Sequence, residues 1–120
     1  MMLKITGLAL AAALTAGAAQ AQQTDMKPED LADLQCVAVF SYIAGVQPEA
    51  ADQVGVAVFY YLGRLEGRTP GVEWLDRVRT YSNTVSVQDL QGHLERCTNR
   101  LVERAEMMQT VGSAMADSAK

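Results

Sequence analysis

Histidine and cysteine are scarce in this 120-residue chain, and the motifs of common enzymes are missing. One histidine and two cysteines fall short of the four ligands that a structural zinc ion usually takes, so we expect no metal site. There is no C-x-x-C pair for thiol exchange. Hydrolase, phosphate-loop, zinc-protease and EF-hand motifs are absent as well. These absences predict a protein without catalytic residues and without a cofactor.

An excess of basic charge is lacking too. The chain has 10 lysines and arginines against 14 aspartates and glutamates, a net charge of −4. This balance argues against nucleic acid or an anionic membrane surface as the main partner. Beyond residue 21 no apolar run is long enough to span a bilayer, so we expect no stable membrane insertion.

The first 21 residues have the features of a signal peptide that is removed on export. Lys4 precedes an apolar run over residues 5–14, and Ala19-Gln20-Ala21 offers the small residues that a signal peptidase recognises. We therefore expect a periplasmic or secreted protein in which residues 22–27 form a flexible start.

Export determines how the two cysteines are interpreted. In an oxidising compartment, Cys36 and Cys97 are expected to form a disulfide. The bond would close a loop of about 60 residues, for which the chain-entropy model gives a stabilisation of roughly 4 kcal/mol as an upper figure.

Helix signals divide residues 28–111 into four helices, and residues 112–120 are expected to be a flexible tail. The four starts are marked by prolines or capping residues, at Pro28, Pro48, Thr69-Pro70 and Ser86. Asp30 and Asp33 follow the first start and suit the positive end of the helix dipole, and Asp89 is spaced to form a capping box with Ser86. In the last helix, apolar residues recur every three or four positions and form one core-facing stripe. The predicted fold class is all-α: a four-helix domain whose disulfide joins the first and last helices. The last helix is expected to end near Val111. Its core-facing stripe comprises Leu90, Leu94, Cys97, Leu101, Ala105 and Met108.

Two helical segments, residues 36–46 and 54–62, are apolar nearly all the way round. Both can be core, or one face can meet a second subunit, a client or an apolar ligand. Gly55, Phe59 and Gly63 recur every four residues on one helix face, although interior glycine costs a helix about 1 kcal/mol relative to alanine. They are therefore a candidate interface, with the close neighbour either inside the fold or in a homodimer.

The polar residues allow several interpretations. Arg64 and Arg68 share a helix face and are a candidate contact for a carboxylate or phosphate. The alternative is that they pair with acids of the same chain. His93 is expected on the surface, paired with Asp89. A solvated face of ion pairs with neighbouring glutamates is predicted for Arg96, Arg100 and Arg104.

Three resemblances follow from these residues. The segment Tyr61-Leu62-Gly63-Arg64-Leu65-Glu66-Gly67-Arg68 follows one cysteine helix and precedes a second cysteine. In this it resembles small exported two-cysteine helical bacterial proteins of unassigned function. The plan of a signal peptide, a short helical chain and one long-range disulfide is similar to that of the periplasmic acid-stress chaperones. That resemblance implies dimer contacts that are lost in acid and apolar surface that is then exposed. The run Tyr42-Ile43-Ala44-Gly45-Val46 is similar to exported immunity proteins of toxin systems.

We therefore expect an exported, non-enzymatic protein that acts through protein contacts, chaperone-like or stress-related, on a protein partner or client. A partner-specific inhibitor or immunity protein is the alternative, and an enzyme of unknown class is the third possibility.

Overall fold

Four helices and no strand make up residues 26–119, the part of the chain that the computed structural model describes. The predicted all-α fold is confirmed. The predicted signal peptide (1–21), most of the predicted flexible start and Lys120 lie outside the described residues. The helices are α1 (Pro28–Val46), α2 (Ala51–Arg68), α3 (Trp74–Ser82) and α4 (Val87–Ser118), and a 3-10 turn over Pro48–Ala50 joins the first two.

The helix starts follow local chemistry. Pro28 occupies the first turn of α1, where its missing N–H needs no partner. Ser86 caps α4: its hydroxyl accepts from the backbone N–H of Asp89, and the Asp89 carboxylate accepts from the backbone N–H of Ser86, both at 3.1 Å. The capping box predicted from the sequence is therefore present.

The connection from α2 to α3 is longer than expected. Thr69 and Pro70 do not begin α3 directly, because the chain first turns through Gly71 with φ of +83°. Glycine reaches this left-handed region without a Cβ penalty. The Trp74 indole then donates to the Thr69 carbonyl oxygen at 3.1 Å, which closes the turn at the start of α3.

α1 is the central helix, and it packs against each of the other three. Residues 36–40 are buried without interruption, so α1 is covered on all sides there. This confirms the core interpretation for residues 36–40 alone, because Tyr42 and Val46 of the same apolar segment are 37% and 54% exposed. The second segment differs, because in α2 only Ala57, Tyr61 and Leu65 are buried. Further core side chains come from α3 and α4, namely Trp74, Val78, Tyr81, Leu90 and Cys97.

The Cys36–Cys97 disulfide joins α1 to α4, with 5.5 Å between the two Cα atoms. The predicted pairing is confirmed, and such a bond is consistent with an exported protein. Tyr61 links α2 to the same place in the core, since its hydroxyl donates to the Cys97 carbonyl oxygen at 2.6 Å. Burial and the neighbouring Tyr60 raise the pKa of Tyr61 to about 12, so the hydroxyl keeps its proton. Three helices therefore meet around one covalent bond.

α4 does not end near Val111, where the sequence suggested. It continues to Ser118, because Ala114, Met115 and Ala116 are good helix formers and no proline interrupts them. Residues 112–118, predicted as a flexible tail, are therefore helical.

Candidate functional site

Arg64 and Arg68 form ion pairs with two carboxylates of the same chain. Arg64 Nε lies 2.9 Å from Asp33 Oδ2, and Arg68 Nε lies 2.9 Å from Asp30 Oδ1. Arg68 Nη2 also bonds to Asp33, and the Thr69 hydroxyl donates to Asp30 at 2.8 Å. Both aspartates are buried in α1. The arrangement matches the alternative interpretation of the two arginines, because intramolecular ion pairs join α1 to α2.

The network favours the ionised form of its buried acid. Burial alone would raise the pKa of Asp30, but the hydrogen bonds from Thr69 and Arg68, together with the Arg68 charge, outweigh it and lower the pKa. Sequence reasoning assigned Asp30 and Asp33 to the α1 dipole. Their spacing of three, in register with the buried Leu34 and Val37, was the signal that they face inward.

The outer face of α2 is open. Phe59 is 75% exposed and Val56 70% exposed. A Cβ added at Gly55 or Gly63 would meet no atom within 4 Å. A close neighbour inside the fold, one of the two explanations for these glycines, is therefore wrong for residues 26–119. The candidate interface formed by Gly55, Phe59 and Gly63 stays a prediction.

The arginines of α4 do not form the predicted surface ion pairs. None of the ion pairs among residues 26–119 involves them. Arg96 instead crosses to α1 and donates to the Gln35 side-chain oxygen at 2.9 Å and to the Ala32 carbonyl oxygen at 3.3 Å. Arg100 is half-buried, and its Nε has no hydrogen-bond partner. It lies beside Tyr60, whose pKa falls because Arg100, Arg64 and Arg104 together outweigh the effect of burial.

His93 is not paired with Asp89, as the sequence suggested, because the Asp89 carboxylate is used in the α4 capping box. His93 Nε2 instead lies 3.5 Å from the Tyr81 hydroxyl oxygen. Burial and the charge of Arg96 lower the pKa of His93, although Asp89 opposes the shift. The imidazole is therefore neutral at neutral pH.

An extended apolar surface lies at the end of α4. Every residue of the segment 102–118, called here the arm, is exposed. Met108, Met115 and Val111 are 75%, 67% and 59% exposed, and with Met107 and Gly112 they line one shallow groove that begins at Arg104. The expectation that the stripe packs into the core as far as Met108 is therefore wrong beyond Leu101.

The arm continues a pattern that begins inside the domain. Two rows of residues repeat every seven positions along α4, which is the spacing of a coiled-coil seam. The rows are Leu94, Leu101, Met108 and Met115, and Cys97, Arg104, Val111 and Ser118. In these rows Leu94, Cys97 and Leu101 pack in or against the core, whereas the members from Arg104 onward are exposed.

No family model, curated protein or solved structure matches this chain. Within residues 26–119, no cluster of three or more histidine, cysteine, aspartate or glutamate side chains could hold a metal ion. In the same range, none of the helices combines the length and hydropathy that a membrane span requires.

Proposed function

We propose that this is an exported protein that performs no chemistry of its own and binds apolar segments of other polypeptides in the periplasm, as a chaperone-like or stress-related factor. The observation that carries the proposal is the arm: 17 consecutive helical residues, about 25 Å long at 1.5 Å per residue, with every side chain exposed.

The composition of the arm suits an adaptable binding surface. Methionine is unbranched and polarizable, so it adjusts to partners of different shape. Three methionines, at positions 107, 108 and 115, lie on the apolar half of the arm. The acids Glu103, Glu106 and Asp117 fall on the opposite half, where they keep the arm soluble.

Acid would enlarge this surface. The ion pairs of Asp30 and Asp33 hold α2 against α1, and protonation of Asp30 in acid removes its part of that attraction. The disulfide would keep α1 and α4 together meanwhile, so that the opened molecule stays compact and can close again. We therefore expect client binding to increase strongly near about pH 3, below the ordinary carboxylate pKa.

Aggregation measurements test the chaperone activity. Light scattering of a test protein that aggregates near about pH 3, and of another that aggregates at pH 7, is followed with and without this protein. We expect weak suppression at pH 7, where the arm is already exposed, and stronger suppression in acid. The double variant Met108→Ser, Met115→Ser should lose most of the suppression, because it removes apolar contact from the arm. The control Gln109→Ser, Thr110→Ser, on the polar half, should retain it.

Two results would refute the chaperone proposal. One is a lack of protection at any pH. The other is equal protection by the methionine variant and its control, since the arm would then not be the binding surface. If a single partner binds tightly and stoichiometrically instead, the partner-specific inhibitor or immunity function takes its place.

Export is tested separately by intact-mass analysis of the protein recovered from periplasmic extract. We expect a chain that begins at Gln22 and is lighter by two hydrogens because of the disulfide. An uncleaved chain confined to the cytoplasm would contradict the proposed location.

A further inference from the structure

We infer that two copies of the chain pair through their arms, as an antiparallel two-helix coiled coil with two-fold symmetry. The inference shares a surface with the proposed function but goes beyond it, because the occupant is a second copy and not a client. Three features support this pairing: the seam, which is formed by the two seven-residue rows of α4, the residues that flank it, and the charges at the two ends of the arm.

The seam has the geometry of helix pairing. A surface that only adheres to unfolded chains needs apolar area, but it needs no fixed repeat. The arm instead keeps the seven-residue period of the buried half of α4 through Met108, Val111 and Met115. This period holds one line of side chains facing a partner helix. The seam that packs inside the domain therefore extends into solvent without a change of register.

The flanks of the seam allow close approach. On one side lie Ala105 and Gly112, and on the other Met107 and Ala114. None of these carries a charge that would repel a second arm. Gly112 lies in the interior of a helix, where a Cβ would meet no atom within 4 Å. Nothing within residues 26–119 explains that glycine, whereas a second backbone lying against it does.

The charges select the antiparallel arrangement. At the base of the arm, Arg100 and Arg104 take part in none of the ion pairs among residues 26–119. At its end, α4 has no basic residue in the last turn, where the negative end of the helix dipole lies. A parallel pair would set Arg104 against Arg104. An antiparallel pair sets each negative helix end against the arginines of the other copy, twice by symmetry.

The antiparallel register follows from the seam. Met108 of one copy lies beside Val111 of the second, and Arg104 beside Met115 of the second. Each arm then pairs along residues 102–117, nearly its whole length. The resulting interface is between about four and five helical turns long and is small by the standard of stable dimers. We therefore expect a reversible dimer that forms at tens of micromolar.

Sedimentation equilibrium tests the seam. The sample is the protein as the cell produces it, purified with its disulfide intact. Val111→Glu places a charge in the seam and should weaken association at least about tenfold. Ser113→Glu adds the same charge on the opposite side of the same helix and should change association less than about twofold. Both positions are exposed in the single chain, so equal melting temperatures will show that both variants fold.

Removal of the Arg104 charge tests the direction of pairing. Arg104→Gln should weaken an antiparallel dimer at least about threefold, because the guanidinium no longer faces the negative helix end of the second arm. In a parallel dimer the same change would remove the Arg104–Arg104 repulsion and strengthen association. A parent protein that stays monomeric, or equal effects of Val111→Glu and Ser113→Glu, would overturn the arm dimer. Stronger association of Arg104→Gln than of the parent would overturn the antiparallel arrangement. Client protection measured on the same variants keeps this test distinct, because a monomer that still protects clients refutes only the dimer.

Discussion

The two halves of α4 share one sequence pattern and have opposite environments. In the body half, residues 87–101, Leu90 and Cys97 are 5% and 0% exposed. In the arm, Met108 and Met115 occupy the same stripe and are 75% and 67% exposed. The difference arises from length, because α4 has 32 residues whereas α1 and α2 have 19 and 18. An apolar stripe thus indicates which face of a helix packs against other residues, but not whether those residues belong to the same chain.

The largest expected effect concerns the disulfide that anchors the body half. Replacing both Cys36 and Cys97 by alanine should lower the free energy of unfolding by about 2–5 kcal/mol. Chemical denaturation monitored by circular dichroism measures the loss. Reductant should bring the parent protein close to the double variant and leave the variant unchanged. A parent and variant of equal stability would show that the bond does not stabilise the body, that is, the helical domain without the arm (residues 28–101).

Alanine substitution within the stripe compares the two halves directly. Leu90→Ala removes a buried side chain and should cost about 2–4 kcal/mol of unfolding free energy. Met108→Ala removes an exposed one and should stay within about 0.5 kcal/mol of the parent, since alanine is also a good helix former. Denaturation at low protein concentration keeps association from contributing. Similar losses for both variants would mean that the arm packs against the body.

The α1–α2 ion network predicts the pH dependence of the body. Because the pKa of Asp30 is lowered in the folded state, the stability it contributes is present above its ordinary value of 3.8. That stability is lost as the pH falls through the lowered pKa. Asp30→Asn should therefore cost about 1–3 kcal/mol at pH 7 and progressively less below pH 4.

Denaturation series between pH 7 and about pH 2 provide the measurement. The control is Asp52→Asn, an exposed acid at the start of α2, which should follow the parent at each pH. A constant difference between Asp30→Asn and the parent across this range would show that the carboxylate is not the group that titrates.

The smallest expected effects come from two glycines with open space around them. Gly63→Ala, within α2, should raise the unfolding free energy by about 0.5–1 kcal/mol. Gly112→Ala, in the arm, should leave that value unchanged and increase hydrogen-exchange protection of nearby arm amides. Protection spreading into α1 after Gly112→Ala would contradict the separation of arm from body.

Sequence reasoning recovered the fold because its signals are local. Pro28 and the Ser86 capping box mark helix starts through backbone chemistry, and the spacing of Leu90, Leu94 and Cys97 defines a face. The sequence did not reveal pairing between distant polar groups. Asp30 was expected to serve a helix dipole and instead binds Arg68, 38 residues away, because only the packed fold brings α1 against α2. The exposure of Met108 was likewise not visible, since it depends on where the neighbouring helices end.

Burial in α4 ends between Leu101 and Val102, and this boundary has an evolutionary consequence. Selection for a folded chain acts on the body, where most substitutions are removed because they unfold it. Substitutions in the arm do not unfold the body, so selection acts on them through the contacts that the arm makes. If the arm binds as proposed, a lineage can alter what this protein contacts through residues 102–118 while the body, held by its disulfide, is inherited unchanged.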